Sequence, residues 1–130
     1  MGYTTKFQGK FRFDVLPSSE VIAKLRALEG KDIRDLPDAS KYPSKYPSKY
    51  PSYYCQWVLT KDCMGLEWSG VEKFYTYKEW LQFIIDKILI PHGVNLSGTV
   101  KYQGEEIGDN GVLTIEGSRV MQRPLQFARQ

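Results

Sequence analysis

The sequence has few of the residues on which small enzymes and secreted domains depend, with two cysteines and one histidine among 130 residues. Cys55 and Cys63 cannot build a disulfide framework, and they lack the spacing and the histidine partners of a zinc site. His92 is the one obvious general base, and nothing near it in sequence supplies a nucleophile and an orienting acid. We therefore expect the protein not to be an enzyme and to hold neither a cofactor nor a metal.

The sequence also has no long apolar run. No stretch approaches the roughly 18 apolar residues of a membrane-spanning helix. The residues after Met1 lack the apolar region of a signal peptide, and two unpaired cysteines fit a reducing compartment. These features predict a cytoplasmic protein that does not use a membrane.

Charge is modest, whereas aromatic residues are in excess. Eighteen Lys and Arg against fifteen Asp and Glu give a net charge of +3. This charge does not favour nucleic acid, because nucleic-acid binding needs clustered cations. Aromatic residues make up 14% of the chain, with nine tyrosines. Because Tyr and Trp combine apolar area with hydrogen-bonding groups, the excess is typical of a binding surface, although some of these residues belong to the core.

Alternating apolar and polar positions predict five to six strands. One face of the first strand carries Tyr3, Thr5, Phe7, Gly9, Phe11, Phe13 and Val15. The other face carries Lys6, Lys10 and Arg12. Residues 53–60 and 66–70 predict a hairpin, and two further strands are predicted at residues 94–105 and through Leu113 and Ile115. Residues 118–130 can add one more short strand before a basic tail. The dipeptide Asn110-Gly111 is typical of a tight turn between two strands.

Apolar residues at helical spacing predict two helices. The first follows Ser18, which is a suitable N-cap, and Gly30 is a suitable end. The second starts with a capping box of Thr76 and Glu79 and ends before Pro91. Its predicted inner stripe consists of Tyr77, Trp80, Leu81, Ile84, Ile85 and Ile88.

The predicted order of elements is β-α-β-β-α-β-β-β within a single domain covering residues 1–130. This order predicts an α+β fold with a mostly antiparallel sheet and two helices on one face. Its first six elements match a ferredoxin-like split βαβ unit, which would place the first strand in the middle of the sheet. A fold of this kind indicates no function by itself.

A repeated tetrapeptide interrupts the domain at residues 40–52, where "KYPS" occurs three times. A proline at every fourth position prevents both a helix and a regular strand ladder. We interpret the segment as a linker that lengthened by duplication, since long connections tolerate insertion. The alternative is an arm that offers Tyr42, Tyr46, Tyr50 and three lysines to a partner.

The remaining polar groups indicate structural roles. His92 follows a helix, where it can cap terminal carbonyls, and Cys55 fits a small core position. Glu105, Glu106 and Asp109 lie close together, but their spacing is not that of a calcium loop, so we expect a solvated turn.

The densest group of candidate binding residues lies at a strand-to-helix junction between residues 65 and 77. Aromatic side chains beside a lysine at a helix start form a plausible recognition patch for a planar anionic ligand such as a nucleotide. The alternative is that Trp68 and Phe74 anchor the helix to the sheet. The candidate ligand- or partner-binding residues are Trp68, Glu72, Lys73, Tyr75, Gln103 and Arg119.

Two apolar residues of the second helix, Phe83 and Ile90, fall outside its inner stripe. They are the candidates for a protein interface, either with a partner or in a homodimer. The alternative is that a loop or the C-terminal segment covers them.

A longer pattern resembles a family of small proteins encoded by bacteriophages and prophages, whose function is unassigned. The pattern is G-L-x-W-x-G-x-E-K-x-Y, followed by an amphipathic helix and L-x-G-x-V-x-x-Q-G-E. In this chain it consists of Gly65, Leu66, Trp68, Gly70, Glu72, Lys73, Tyr75, Leu96, Gly98, Val100, Gln103, Gly104 and Glu105. The resemblance implies a phage accessory protein that acts in the host cytoplasm, and it transfers no catalytic residue.

The leading functional interpretation is a non-enzymatic binding module that modulates a host or defence protein by occupying its surface. The alternative is a small-ligand binding protein, for example a sponge for a nucleotide signal. A weaker alternative is nucleic-acid binding through the Lys6, Lys10 and Arg12 face together with the repeat.

Overall fold

The computed structural model describes residues 4–29, 55–70 and 77–124. The repeat at residues 40–52, the capping-box residue Thr76 and the helix end at Gly30 lie outside this part of the chain. The described elements are β1 (Lys6–Phe13), α1 (Ser19–Leu28), β2 (Trp57–Leu59), β3 (Gly65–Trp68), α2 (Tyr77–Ile84), β4 (Leu96–Gln103), β5 (Asn110–Glu116) and β6 (Arg119–Pro124). A π-helical segment, Ile85–Leu89, and a short 3₁₀ turn, Ile90–His92, extend α2.

The strands form one six-stranded sheet in the order β2-β3-β1-β4-β5-β6. Every neighbouring pair is antiparallel. The first four strands have the split βαβ order, with β1 between β3 and β4, and β5 and β6 extend the sheet beside β4. The predicted α+β fold is therefore confirmed, and so is the central position of the first strand.

The core lies between one face of the sheet and the helices. In β1, Phe11 and Phe13 are buried whereas Lys10 and Arg12 are exposed, so the predicted alternation is confirmed. Burial of a side chain as large as Phe11 contributes about 1.5–3 kcal/mol. The alternation ends earlier than predicted, because Val15 lies beyond β1 and is 49% exposed.

Helix α1 begins where the sequence predicts it. The Ser18 hydroxyl accepts a hydrogen bond from the backbone N–H of Val21 at 3.3 Å, which satisfies one free donor of the first turn. Val21, Leu25 and Leu28 are buried in the core. Directly after α1, Glu29 forms an isolated parallel bridge with Cys55, and its carboxylate accepts from the N–H of Leu59 at 2.8 Å.

The second helix buries its predicted stripe, with one addition. Trp80, Leu81 and Ile84 are buried in α2, and Tyr77 is half-buried at its start. The prediction omitted Leu89, which is fully buried. Its burial follows from the π-helical segment, because a wider turn changes the angular position of every later residue.

The tight turn predicted at Asn110-Gly111 is wrong, because β5 begins at Asn110. The chain turns at residues 104–109 instead, where the N–H of Gly104 donates to the Asp109 carbonyl at 2.7 Å. Glycine is required at position 111 for another reason. A Cβ there would lie 2.3 Å from the Arg123 carbonyl oxygen and 2.6 Å from the Tyr102 hydroxyl.

The Gln82 side chain of α2 fastens the outer strand of the sheet. The Gln82 amide oxygen accepts from the N–H of Val120 at 2.8 Å, and its nitrogen donates to the Ser118 carbonyl at 2.8 Å. The nitrogen also donates to the Asp86 carboxylate one turn along, at 3.0 Å. Gln82 thus occupies an edge N–H of β6 that an incoming strand would otherwise use.

Within the described ranges, no helix has the length and apolar character needed to cross a membrane.

Candidate functional site

A cleft of about 450 Å³ opens at the end of the sheet where β1 and β5 begin and β3 and β4 end. Residues 6–8, 101–103 and 110–111 line it together with Trp68. It forms where the sheet divides, because the pairing of β3 with β1 stops at the Glu67–Lys10 pair. Beyond that pair, β1 continues beside β4 while β3 continues with β2.

The aromatic side of the cleft is built around Phe7. Its ring lies 5.4 Å from that of Trp68, 5.3 Å from Trp57 and 4.9 Å from Tyr77, each in an edge-to-face arrangement. Trp57 is buried and donates its indole N–H to the Tyr77 carbonyl at 2.8 Å, which fixes the start of α2. Trp68 is only half-buried, so it packs on Phe7 and also lines the cleft.

The polar side of the cleft is formed by amides of β4 and β5. The side-chain nitrogen of Gln103 donates to the Gly104 carbonyl at 2.9 Å, and its oxygen accepts from Asn110 at 3.3 Å. The oxygen of the Asn110 side chain is buried and has no hydrogen-bond partner among the described residues. These contacts hold two amides at the cleft.

Two exposed lysines, Lys6 and Lys101, line the cleft, and a third, Lys10, lies farther along β1; we call the three the lysine cluster. Lys101 lies directly opposite Gln8 across the β1–β4 pair, and Lys6 and Lys10 flank Gln8 two residues away on either side. Diagonal neighbours in such a ladder lie about 7–8 Å apart. None of the three lysines forms an ion pair within the described residues, so their charges are not neutralised locally.

The structure brings together only some of the predicted site residues. Trp68 and Gln103 both line the cleft, whereas Arg119 lies at the other end of β5. Gln103 lies opposite Asn110, at the start of β5, and Arg119 lies opposite Glu116, at its end. Asn110 and Glu116 are six residues apart along β5, so Gln103 and Arg119 are separated by roughly 20 Å. Arg119 lines a separate groove between α2 and β6. Glu72, Lys73 and Tyr75 lie outside the described residues.

Sequence reasoning missed Lys101, Asn110 and Phe7 as cleft residues. The signal for Lys101 was present, because the predicted split βαβ order pairs the first strand with the fourth. Alternation then places Lys101 on the same face as Lys6 and Lys10. The division of the sheet after Glu67, which forms the cleft, had no counterpart in the sequence pattern.

Tyr77 packs behind the cleft against Phe7, and its pKa departs from its ordinary value. Burial raises the pKa of Tyr77 to about 12, and the nearby Asp109 carboxylate acts in the same direction. Its hydroxyl accepts a hydrogen bond from Gln122 at 3.4 Å, and its ring centroid lies 6.0 Å from that of Tyr102. The phenol therefore stays protonated at neutral pH and cannot serve as a base.

The other polar candidates have the structural roles that were predicted for them. The His92 Nδ1 lies 3.0 Å from the Ile88 carbonyl, and its Nε2 lies 3.5 Å from the Glu20 carboxylate, so the ring links the two helices. Cys55 is buried in the core, and burial raises the pKa of its thiol to about 12. Cys55 and Cys63 are both free and form no disulfide.

The acidic turn does not assemble a cation site within the described residues, where no group of three or more potential ligands occurs. One carboxylate oxygen of Glu105 instead accepts from the backbone N–H of Thr4 at 2.7 Å. The turn thus closes against the chain that enters β1.

The two interface candidates on the second helix differ in their surroundings. Phe83 is half-buried, packs against the core, and has its ring 5.6 Å from Trp80 in an edge-to-face arrangement. Ile90, in contrast, is 46% exposed. Phe83 therefore contributes to the packing of α2, and Ile90 is the more accessible of the two.

The structure is that of an α+β protein with a cleft at the divided end of a six-stranded sheet. Comparison with protein-family models, with curated proteins and with solved structures gave no significant match. The resemblance to phage-encoded proteins stays a prediction.

Proposed function

We propose that the protein is a non-enzymatic binding module whose cleft takes a small planar ligand with an anionic group, such as a nucleotide. The observation that carries this proposal is the meeting of a half-buried Trp68 with two exposed lysines, Lys6 and Lys101, at one cleft, where neither lysine forms an ion pair with a described residue. An aromatic ring can stack on a base, and an ammonium group beside it can hold a phosphate.

The size and the polarity of the cleft fit such a ligand. Its volume of about 450 Å³ lies within the roughly 300–1,000 Å³ of small-molecule sites. The amides of Gln103 and Asn110 provide hydrogen-bonding groups of the kind that read the edge of a base. The described lining contains no histidine, cysteine or carboxylate, so it offers binding groups and no obvious acid–base pair.

Binding of a host protein through the helix surface is the second candidate function. It is supported by the exposed Ile90, whereas Phe83 is largely committed to the core. Substitution of Ile90 by Asp would abolish this binding without affecting a ligand in the cleft. In the setting that the phage resemblance implies, either function would operate in the host cytoplasm.

Thermal unfolding with a panel of mononucleotides and cyclic dinucleotides tests the proposed function. A ligand at about 100 times its Kd stabilises the native state by about 2.7 kcal/mol. In a domain of this size that stabilisation raises Tm by roughly 10 °C. We expect Lys101→Gln and Trp68→Phe to reduce the shift and Lys87→Gln to leave it unchanged, since Lys87 is an exposed lysine of the π-helical segment.

The proposal fails if no member of the panel raises Tm. It also fails if the Lys101 variant responds as strongly as the wild type, because the anion would then be held elsewhere. The Tm of each variant without ligand serves as the reference for its own shift.

A further inference from the structure

We propose that the face of the sheet opposite the helices binds single-stranded nucleic acid, with the sugar–phosphate backbone crossing the lysine cluster and one base entering the cleft. This inference extends the proposed function, because it makes the cleft the end of a longer binding surface. It also assigns a role to a part of the sheet that the small-ligand proposal leaves unused.

The helices leave this face of the sheet open. The core side chains of β1 and β4 point to the helices, and the alternate positions Gln8, Lys10, Thr99 and Lys101 are exposed. These positions are adjacent in the register, with Gln8 opposite Lys101 and Lys10 opposite Thr99. A flat, polar and accessible surface therefore continues directly from the cleft.

The positive charge of this face is concentrated in its central strands. Other cations of the sheet are paired with carboxylates: Arg12, at the far end of β1 from the cleft, lies 3.8 Å from the Asp62 carboxylate, and Arg123 of β6 is bonded to Glu116. The lysine cluster has no such ion pairs in the described chain. The carboxylate closest in register is Glu67, which lies opposite Lys10 without forming an ion pair with it.

The arrangement of the lysine cluster suits a polymer better than a single phosphate. Lys6 and Lys10 are four residues apart along β1, a separation of about 14 Å. Lys101 lies between them on the neighbouring strand. A row of backbone positions of this length matches successive phosphates of an extended strand better than the one phosphate of a mononucleotide.

The geometry favours a single strand over a duplex. Duplex DNA is read by a helix or a narrow ribbon that enters the major groove, and a broad sheet face cannot do so. Sheet faces bind single strands, with the backbone along a positive surface and bases stacked on aromatic side chains. Trp68 is a half-buried aromatic side chain that lines the cleft at this end, so we expect stacking of one base and little sequence preference.

Fluorescence anisotropy with a labelled oligo-dT of about 12 nucleotides tests the inference, since a length of this order covers one such surface. The full chain is titrated between about 50 and 200 mM salt, the range over which phosphate contacts weaken strongly. Each lysine that contacts a phosphate of a single strand contributes roughly 0.7 to the slope of log K against log salt. We expect the double variant Lys10→Gln/Lys101→Gln to lower the slope by roughly 1.4 and the low-salt affinity by roughly tenfold or more.

Three comparisons make the test specific. Lys87→Gln removes an exposed lysine on the helix side and should bind like the wild type. Glu67→Gln should bind more tightly, because it removes the carboxylate opposite Lys10. A chain lacking two copies of the repeat should retain lysine-dependent binding, since the surface and its cleft are built from β1, β3, β4 and the start of β5.

Three results would overturn the inference. They are an affinity for a duplex of the same length equal to that for the single strand, competition by polyglutamate as strong as that by unlabelled oligonucleotide, and a loss of affinity in Lys87→Gln as large as that in the double variant. Loss of binding on removing repeat copies, with no effect of Lys10 and Lys101, would assign the binding to the repeat and overturn it too. A mononucleotide shift without tighter oligonucleotide binding would refute this inference and leave the proposed function standing. Lysine-dependent oligonucleotide binding without any mononucleotide shift would refute the proposed function and support this inference.

Discussion

Replacing Gln82 by Ala removes every hydrogen bond by which the side chain fastens β6 to α2. The bond from the Val120 N–H is partly buried, and we assign it about 1–1.5 kcal/mol, whereas the exposed bond to the Ser118 carbonyl contributes about 0.5 kcal/mol. The bond to Asp86 one turn along adds about 0.3 kcal/mol, and the higher helix propensity of Ala recovers a similar amount. We therefore expect the free energy of unfolding to fall by about 1.5–2 kcal/mol.

Equilibrium unfolding in urea measures the loss, and amide hydrogen exchange locates it. Exchange at Val120 should accelerate by roughly tenfold for each 1.4 kcal/mol, because its N–H loses its acceptor. Gln82→Glu keeps an acceptor for Val120 but cannot donate to Ser118, so its loss should be intermediate. Lys87→Ala, an exposed substitution on the same helical run, should cost less than about 0.5 kcal/mol. If Gln82→Ala is no more destabilising than Lys87→Ala, or if Val120 exchange is unchanged, Gln82 does not fasten the edge strand.

Three further predictions concern the reactivity of the thiols, the pH dependence of stability and a crowded glycine. Burial raises the pKa of Cys55 to about 12. At pH 8 a thiol reagent should therefore modify Cys63 alone in the native protein, and both cysteines in denaturant. Equal reactivity of the two cysteines in the native protein would contradict the burial of Cys55. The same shift should lower stability as the pH rises above 9, because the unfolded thiol loses its proton first. Gly111→Ala should destabilise the fold by about 2 kcal/mol or more, since its Cβ would lie 2.3 Å from a backbone oxygen. Gly108→Ala is the control: Gly108 has a positive φ, but a Cβ there would meet no atom within 4 Å. Its substitution should therefore cost less free energy of unfolding in the same urea titration.

Local patterns predicted the elements of the fold well where the sequence alternates or caps clearly. Phe11 and Phe13 show the alternation of β1, and Ser18 caps α1 as expected. The prediction failed where a local signal competes with a distant contact. Asn110-Gly111 is typical of a turn, yet Gly111 is required inside a strand because the chain near Arg123 approaches it closely.

The candidate site was only partly predictable, for a related reason. Trp68 and Gln103 were chosen for their chemistry, and the structure places them at one cleft, but Arg119 belongs to another end of the sheet. Which charges become neighbours depends on strand order and register. Lys101 joins the lysine cluster only because β4 pairs with β1, which places it between Lys6 and Lys10. Sequence chemistry thus identified the kinds of residue in the site more reliably than their grouping.

The bridge between Glu29 and Cys55 bears on how much the length of the intervening segment can change during evolution. The chain leaves the described fold and returns to it at two paired positions, and the Glu29 carboxylate holds the returning strand at Leu59. Because both ends are anchored, losing or gaining two copies of the tetrapeptide alters the closure free energy by only about 0.3 kcal/mol. A repeat unit that is a whole number of codons also keeps the reading frame when copies slip during replication. The segment between these anchors can therefore vary in length between related genes, or accept an inserted reporter domain, while the sheet and its cleft are inherited unchanged.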